Sequence, residues 1–100
     1  MKKLVAVTGC PTGIAHTYMA AESLSKAAEK LGVSIKVETR GASGVENRLT
    51  EEEIREAHAV ILSSDVDAEE DRFQGKTVIR SSLGDAIKNA ERLIEEALSK

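Results

Sequence analysis

The chain has one cysteine, one proline, no tryptophan and only two aromatic side chains, Tyr18 and Phe73. Each scarcity removes a class of protein. With Cys10 as the single thiol, no disulfide can form within the chain, and no Cys-x-x-Cys redox pair is available. The shortage of aromatic rings, a formal charge of −3 and the lack of any basic cluster disfavour nucleic-acid binding, which needs cations for phosphates and flat rings for bases. No stretch approaches the roughly 20 apolar residues needed to cross a bilayer, so any membrane connection is expected to run through a partner. The N-terminus, Met1-Lys2-Lys3-Leu4-Val5-Ala6-Val7, has the charge of a signal peptide, but its apolar run is short and passes at once into Thr8-Gly9. It reads as a first strand.

One hundred residues suffice for one domain, 1–100, with its own core, and leave no room for a second lobe. A lone free cysteine suits a reducing cytoplasm. Carboxylates cluster at Glu51-Glu52-Glu53 and across Asp65, Asp67, Glu69, Glu70 and Asp71. Both clusters read as solvated faces, the second with a further capacity for docking.

Hydrophobic periodicity predicts strand 3–9, helix 17–31, strand 33–39, helix 50–57, strands 58–64 and 76–81, and helix 83–98. Alternating strands and helices imply an α/β domain, a three-layer αβα sandwich of Rossmann-like type. The first helix sets Ala20, Leu24, Ala27, Ala28 and Leu31 on one face, with Gly32 as its left-handed cap. Thr50-Glu51-Glu52-Glu53 is a capping box. Leu4 to Val7 and Ala59 to Leu62 are unbroken apolar runs, as in strands covered on both faces, whereas Val33 to Glu38 alternates. The expected sheet is therefore four-stranded and parallel, of order 2-1-3-4, with the second strand at an edge. Ligands bind such sheets beyond the carboxyl ends of the strands, where the winding reverses between strands one and three. Cys10 lies at that point. The stretch from Arg40 to Asn47, with two glycines, reads as a mobile connection or partner loop on the same rim.

Cys10 ends the first strand just before a helix, where unpaired backbone N–H groups and the helix dipole favour negative charge. The loop Pro11-Thr12-Gly13-Ile14-Ala15-His16 offers amides that can converge on an anion carried by the sulfur, and Thr17 completes the segment. Pro11 cannot donate and reads as fixing the chain direction. Thr12 and Thr17 have hydroxyls suited to phosphate, although Thr17 equally reads as the helix N-cap. These features point to a phosphorylated cysteine ahead of a redox thiol or a metal ligand. His16 falls six residues after Cys10, where cysteine-dependent phosphatases carry an arginine. Arginine grips a phosphoryl group bidentately and stabilises the charge of hydrolysis; histidine donates one hydrogen bond. Such a loop should hold phosphate without hastening its loss, unless His16 merely points into solvent.

His58 precedes the third strand, at the far end of the sheet, and Cys10 with His16 does not make a zinc motif. No metal or cofactor is expected. Asp65 leaves the third strand beside the site and reads as a general acid or, preferably, a solvated side chain. Two alternatives stay open: a small cysteine-dependent phosphatase or arsenate reductase-like enzyme, and a non-catalytic anion-sensing module.

The run Thr8-Gly9-Cys10-Pro11-Thr12-Gly13-Ile14-Ala15-His16-Thr17-Tyr18-Met19-Ala20-Ala21-Glu22 resembles the active loop of fructose-type enzyme IIB components of the bacterial sugar phosphotransferase system. The likeness continues through Val37-Glu38-Thr39, Gly41, Gly44, Glu46-Asn47, Leu49-Thr50 and Asp71-Arg72-Phe73, and covers essentially the whole chain. It implies a protein-phosphohistidine–sugar phosphotransferase in the cytoplasm. Enzyme IIA, charged on histidine by the carrier HPr, would pass its phosphoryl group to Cys10, cradled by Pro11 to Thr17. Cys10 would deliver it to fructose or a related hexose held by the membrane permease, enzyme IIC, through which the chain would reach the membrane. One position departs: the family commonly carries glutamine where this chain has Arg40, which suggests altered partner docking or an added phosphate contact.

Overall fold

The computed structural model describes residues 2–11 and 15–100. Strands β1 (Lys3–Gly9), β2 (Ser34–Gly41), β3 (Gly44–Glu46), β4 (Ala59–Ser64) and β5 (Val78–Arg80) form one sheet of order β3-β2-β1-β4-β5. The helices are α1 (Ala15–Leu31), α2 (Glu51–Glu56), α3 (Leu83–Lys88) and α4 (Ala90–Ser99), with a 3-10 turn at Glu70–Phe73.

The two central strands follow from their unbroken apolar runs. Side chains alternate across a strand, so Leu4 and Ala6 of β1 and Ala59 and Ile61 of β4 enter one core, against α1, α3 and α4. Val5, Val7, Val60 and Leu62 enter the other, with Ile54 of α2 and Phe73 of the 3-10 turn. Both faces are dry, and the result is the expected three-layer α/β sandwich. Because α1 and α2 lie on opposite faces, the winding reverses beside β1.

The cap signals at Gly32 and Thr50 also hold. Gly32 has φ +72 and closes α1 in a Schellman turn, with its N–H donating to the Glu29 carbonyl and that of Val33 to the Ala28 carbonyl. Thr50 Oγ1 accepts from the Glu53 N–H at 3.0 Å while the Glu53 carboxylate accepts from the Thr50 N–H at 2.8 Å, which completes the capping box.

Three expectations need correction. Among the described residues the sheet has five strands, not four: the supposed mobile connection after β2 is a hairpin, in which Gly41 pairs with Gly44 around residues 42–43 and antiparallel β3 pairs with the end of β2. Gly44 at φ +95 supplies the reversal, and Asn47, at φ 56, donates from Nδ2 to the Val37 carbonyl. Helix α1 begins at Ala15, so Thr17 lies inside it, fully buried, and is not its N-cap. The last helix is two, broken at Asn89 (φ −126, ψ 35). The second acidic cluster is exposed, as expected, and its Glu69 and Glu70 are also paired with arginines.

Candidate functional site

Cys10 follows the last residue of β1, partly exposed, with its side chain against the core under α1. Its backbone N–H donates to the Arg40 carbonyl at 3.3 Å, and the Gly9 carbonyl accepts from the Asp65 N–H at 3.0 Å. The end of β1 is thus held on both sides, by β2 and by the chain that leaves β4. Gly9 is needed for this closeness: a Cβ there would lie 2.6 Å from Ser64 Oγ, 2.8 Å from Val66 Cγ2 and 3.0 Å from the Arg40 carbonyl oxygen.

The N-terminus of α1 is tied to the same place. Thr8 Oγ1, fully buried, donates to the Thr17 carbonyl at 3.1 Å, which fixes the first helical turn against β1. Pro11, Ala15 and His16 are exposed around Cys10 in the chain, while Thr17 Oγ1 is buried and has no hydrogen-bond partner among the described residues. Thr12, Gly13 and Ile14, the middle of the proposed cradle, lie outside the described residues. Asp65 is exposed at the carboxyl end of β4, on the same rim. His58 lies at the opposite end of the sheet, where its N–H donates to the Lys3 carbonyl.

Sequence reasoning missed a charged network beneath the rim. Glu38 has no exposed surface, although the alternation of β2 places it on a polar face. It accepts from Arg72 Nη1 and Nη2 at 2.8 and 2.6 Å, Arg40 Nε at 2.7 Å and the Leu49 N–H at 2.9 Å. Burial alone would raise the Glu38 pKa, but the bonds from Arg72, Leu49 and Arg40 outweigh it and lower the value to about 2. Arg72 also stacks on Phe73, 4.8 Å from the ring centroid. Glu69 joins the network through Arg48 and Arg40, whose hydrogen bonds hold its carboxyl well below the ordinary range. The only sequence sign of this network is a carboxylate in Val37-Glu38-Thr39, a segment otherwise suited to a strand. Of the arginines that neutralise it, Arg72 is remote in sequence and Arg40 lies further along the same strand. Arg40 itself donates to Glu38, the Asp67 carbonyl and Glu69, so it is bonded within the chain.

A second missed contact joins the hairpin to α1: the Tyr18 hydroxyl donates to the Glu46 carboxylate. That bond, ahead of burial and the Glu46 charge, raises the Tyr18 pKa, since ionising the phenol would set two anions together.

Comparison with known proteins agrees with this fold. The family described as "PTS system, Lactose/Cellobiose specific IIB subunit" matches residues 5–96. The fructose-like EIIB component 2 of Escherichia coli K12 is 48% identical over 97 residues, which cover 96% of this chain and 92% of that protein. The fructose-specific EIIABC component of Bacillus subtilis is also 48% identical over 97 residues, and there the chain spans 97% of its own length but only 15% of the relative's. A crystal structure of a domain from a fructose-specific IIABC component of Borrelia burgdorferi superposes with a TM-score of 0.93 at 52% identity, covering 98% of this chain and 94% of that one. The chain therefore belongs to the IIB family of the sugar phosphotransferase system, as a phosphotransfer subunit akin to the fructose-type components.

Proposed function

We propose that Cys10 is the phosphoryl carrier of this subunit, and that residues 1–100 act as one IIB domain. The Cys10 thiolate attacks the phosphorus of a phosphohistidine on enzyme IIA; the N–P bond breaks as the S–P bond forms, and the imidazole leaves. A hydroxyl of the sugar held by enzyme IIC then attacks the same phosphorus, the S–P bond breaks, the thiolate is restored and the hydroxyl proton is released. Fructose or a related hexose is the acceptor that fits the fructose-type relatives. The reaction runs at the cytoplasmic side of the membrane that holds the permease.

The observation that carries this reading is the junction itself: a partly exposed cysteine just after a central parallel strand, in the connection to a helix tied to that strand by Thr8 and Thr17. Backbone N–H groups at a helix start and the dipole of α1 suit the three oxygens of a phosphoryl group. Pro11, Thr12, Gly13, Ile14, Ala15, His16 and Thr17 form the cradle in this reading. His16 stands where a phosphatase loop has arginine, so the S–P bond is kept for the sugar instead of being lost to water.

The test is phosphorylation from phosphoenolpyruvate through the general relay proteins and a matching IIA, followed by mapping of the adduct. A label on Cys10 that is absent in Cys10→Ser supports the reading. Rapid hydrolysis of an aryl phosphate by the isolated protein would instead favour a phosphatase.

A further inference from the structure

The guanidinium of Arg40 helps to join the two segments that flank the end of β1. In register, Gly9 pairs with Arg40 of β2 and with Ser64 of β4, so the segments that flank the end of β1 are the end of β2 and the chain leaving β4. Beyond the strand ladders, each holds β1 by a backbone bond: the Cys10 N–H to the Arg40 carbonyl, and the Asp65 N–H to the Gly9 carbonyl. The Arg40 guanidinium, with a side chain only 10% exposed, ties these segments to each other. Its Nε is anchored on Glu38 of its own strand, while Nη1 donates to the Asp67 carbonyl at 3.1 Å and Nη2 to the Glu69 carboxylate. The bonds close a ring around the nucleophile's backbone, running Gly9, Cys10, Arg40, Asp67, Asp65 and back to Gly9.

We propose that Arg40 is a positioning residue for Cys10, which clamps the chain after β4 to the end of β2 and so fixes the backbone from which the thiol projects. The inference rests on the reading of Cys10 as phosphoryl carrier. The planar fork suits this task, because one guanidinium serves three acceptors on two segments, whereas an ammonium is a single point charge. The rest of the network does not depend on it: Glu38 keeps both bonds from Arg72, and Glu69 keeps both from Arg48. Loss of Arg40 should therefore loosen the ring without collapsing the fold.

The experiment compares the wild-type chain with Arg40→Ala and Arg40→Lys by amide hydrogen exchange and by single-turnover transfer from phosphorylated IIA. In Arg40→Ala, exchange at the Cys10 and Asp65 amides is expected to rise by about tenfold or more as local opening becomes easier. The Ser81 amide, bonded to the Leu62 carbonyl on the far side of β4, should stay at its wild-type rate. The maximal transfer rate should fall by about tenfold, with the IIA concentration for half-maximal rate unchanged, and Arg40→Lys should recover part of both losses. Unchanged exchange at Cys10 and Asp65, a rise shared equally by Ser81, or altered exchange with full transfer would each overturn the proposal. A wild-type chain that takes no phosphoryl group on Cys10 would overturn the carrier reading instead, while the exchange pattern would still decide whether Arg40 forms the clamp.

Discussion

Glu38 and Arg72 meet in a two-pronged ion pair, with Nη1 on Oε1 at 2.8 Å and Nη2 on Oε2 at 2.6 Å, and the carboxylate is completely buried. The folded state therefore keeps Glu38 ionised far into acid, with a pKa lowered to about 2. The unfolded chain takes up the proton at an ordinary glutamate pKa near ~4.3, so falling pH favours the unfolded state. The contribution is complete above that value and is lost as pH drops towards 2. It amounts to about 3 kcal/mol. Urea unfolding at pH 7 and at pH 3 is expected to show a steep loss in the wild type and a shallower one in Glu38→Gln. That variant should already be weaker by about 3–5 kcal/mol at neutral pH, because it leaves buried guanidinium donors without their anion.

Gly9→Ala should harm the site more than its small volume suggests. The added methyl meets Ser64, Val66 and the Arg40 carbonyl, all at or below 3.0 Å. Two of these contacts are to groups held in strand or packed against it, so the strand end must shift. An expected cost of about 1–3 kcal/mol is measurable by thermal unfolding, and transfer through Cys10 should slow beyond what the lost stability explains.

Tyr18 is the only tyrosine, which makes its phenol directly visible by ultraviolet titration. It is expected to ionise above the ordinary phenol range in the wild type and to return towards it in Glu46→Gln, because the Glu46 bond is the main cause of the shift. Equal titration curves in the two proteins would remove this contact between α1 and the hairpin.

What the sequence makes legible is local or strictly periodic. Leu4 to Val7 and Ala59 to Leu62 identify the two central strands because both their faces are dry, and from these follow the core, the reversal of winding and the address of Cys10. Caps at Gly32 and Thr50 are legible because a few adjacent residues suffice to make them. The alternation of β2 misleads at Glu38, since a buried carboxylate is indistinguishable from a solvated one until Arg72, 34 residues away, is brought to it. The hairpin is hidden for a related reason. Strand β3 has three exposed residues and no apolar pattern, and is defined by its pairing with β2. The hydrogen bond from Thr8 to the Thr17 carbonyl inside α1 joins residues of two elements, so no cap signal reveals it.

His16→Arg tests why the cradle keeps its cargo. An arginine at this point in the chain restores the residue type that cysteine phosphatases use to grip a phosphoryl group and stabilise its departure. Phosphorylated Cys10 is expected to lose its phosphoryl group to water at least about tenfold faster in this variant, as followed by release of inorganic phosphate. An unchanged lifetime would mean that the identity of the residue after Ala15 does not set the stability of the adduct.

The most direct measurement is intact-protein and peptide mass spectrometry of the chain after incubation with phosphoenolpyruvate, the general relay proteins and a matching IIA. The account predicts one phosphoryl group, on Cys10, that is discharged when permease and sugar are added and is absent from Cys10→Ser. Phosphate on any other residue, or an unmodified Cys10 beside a fully charged donor, would contradict it.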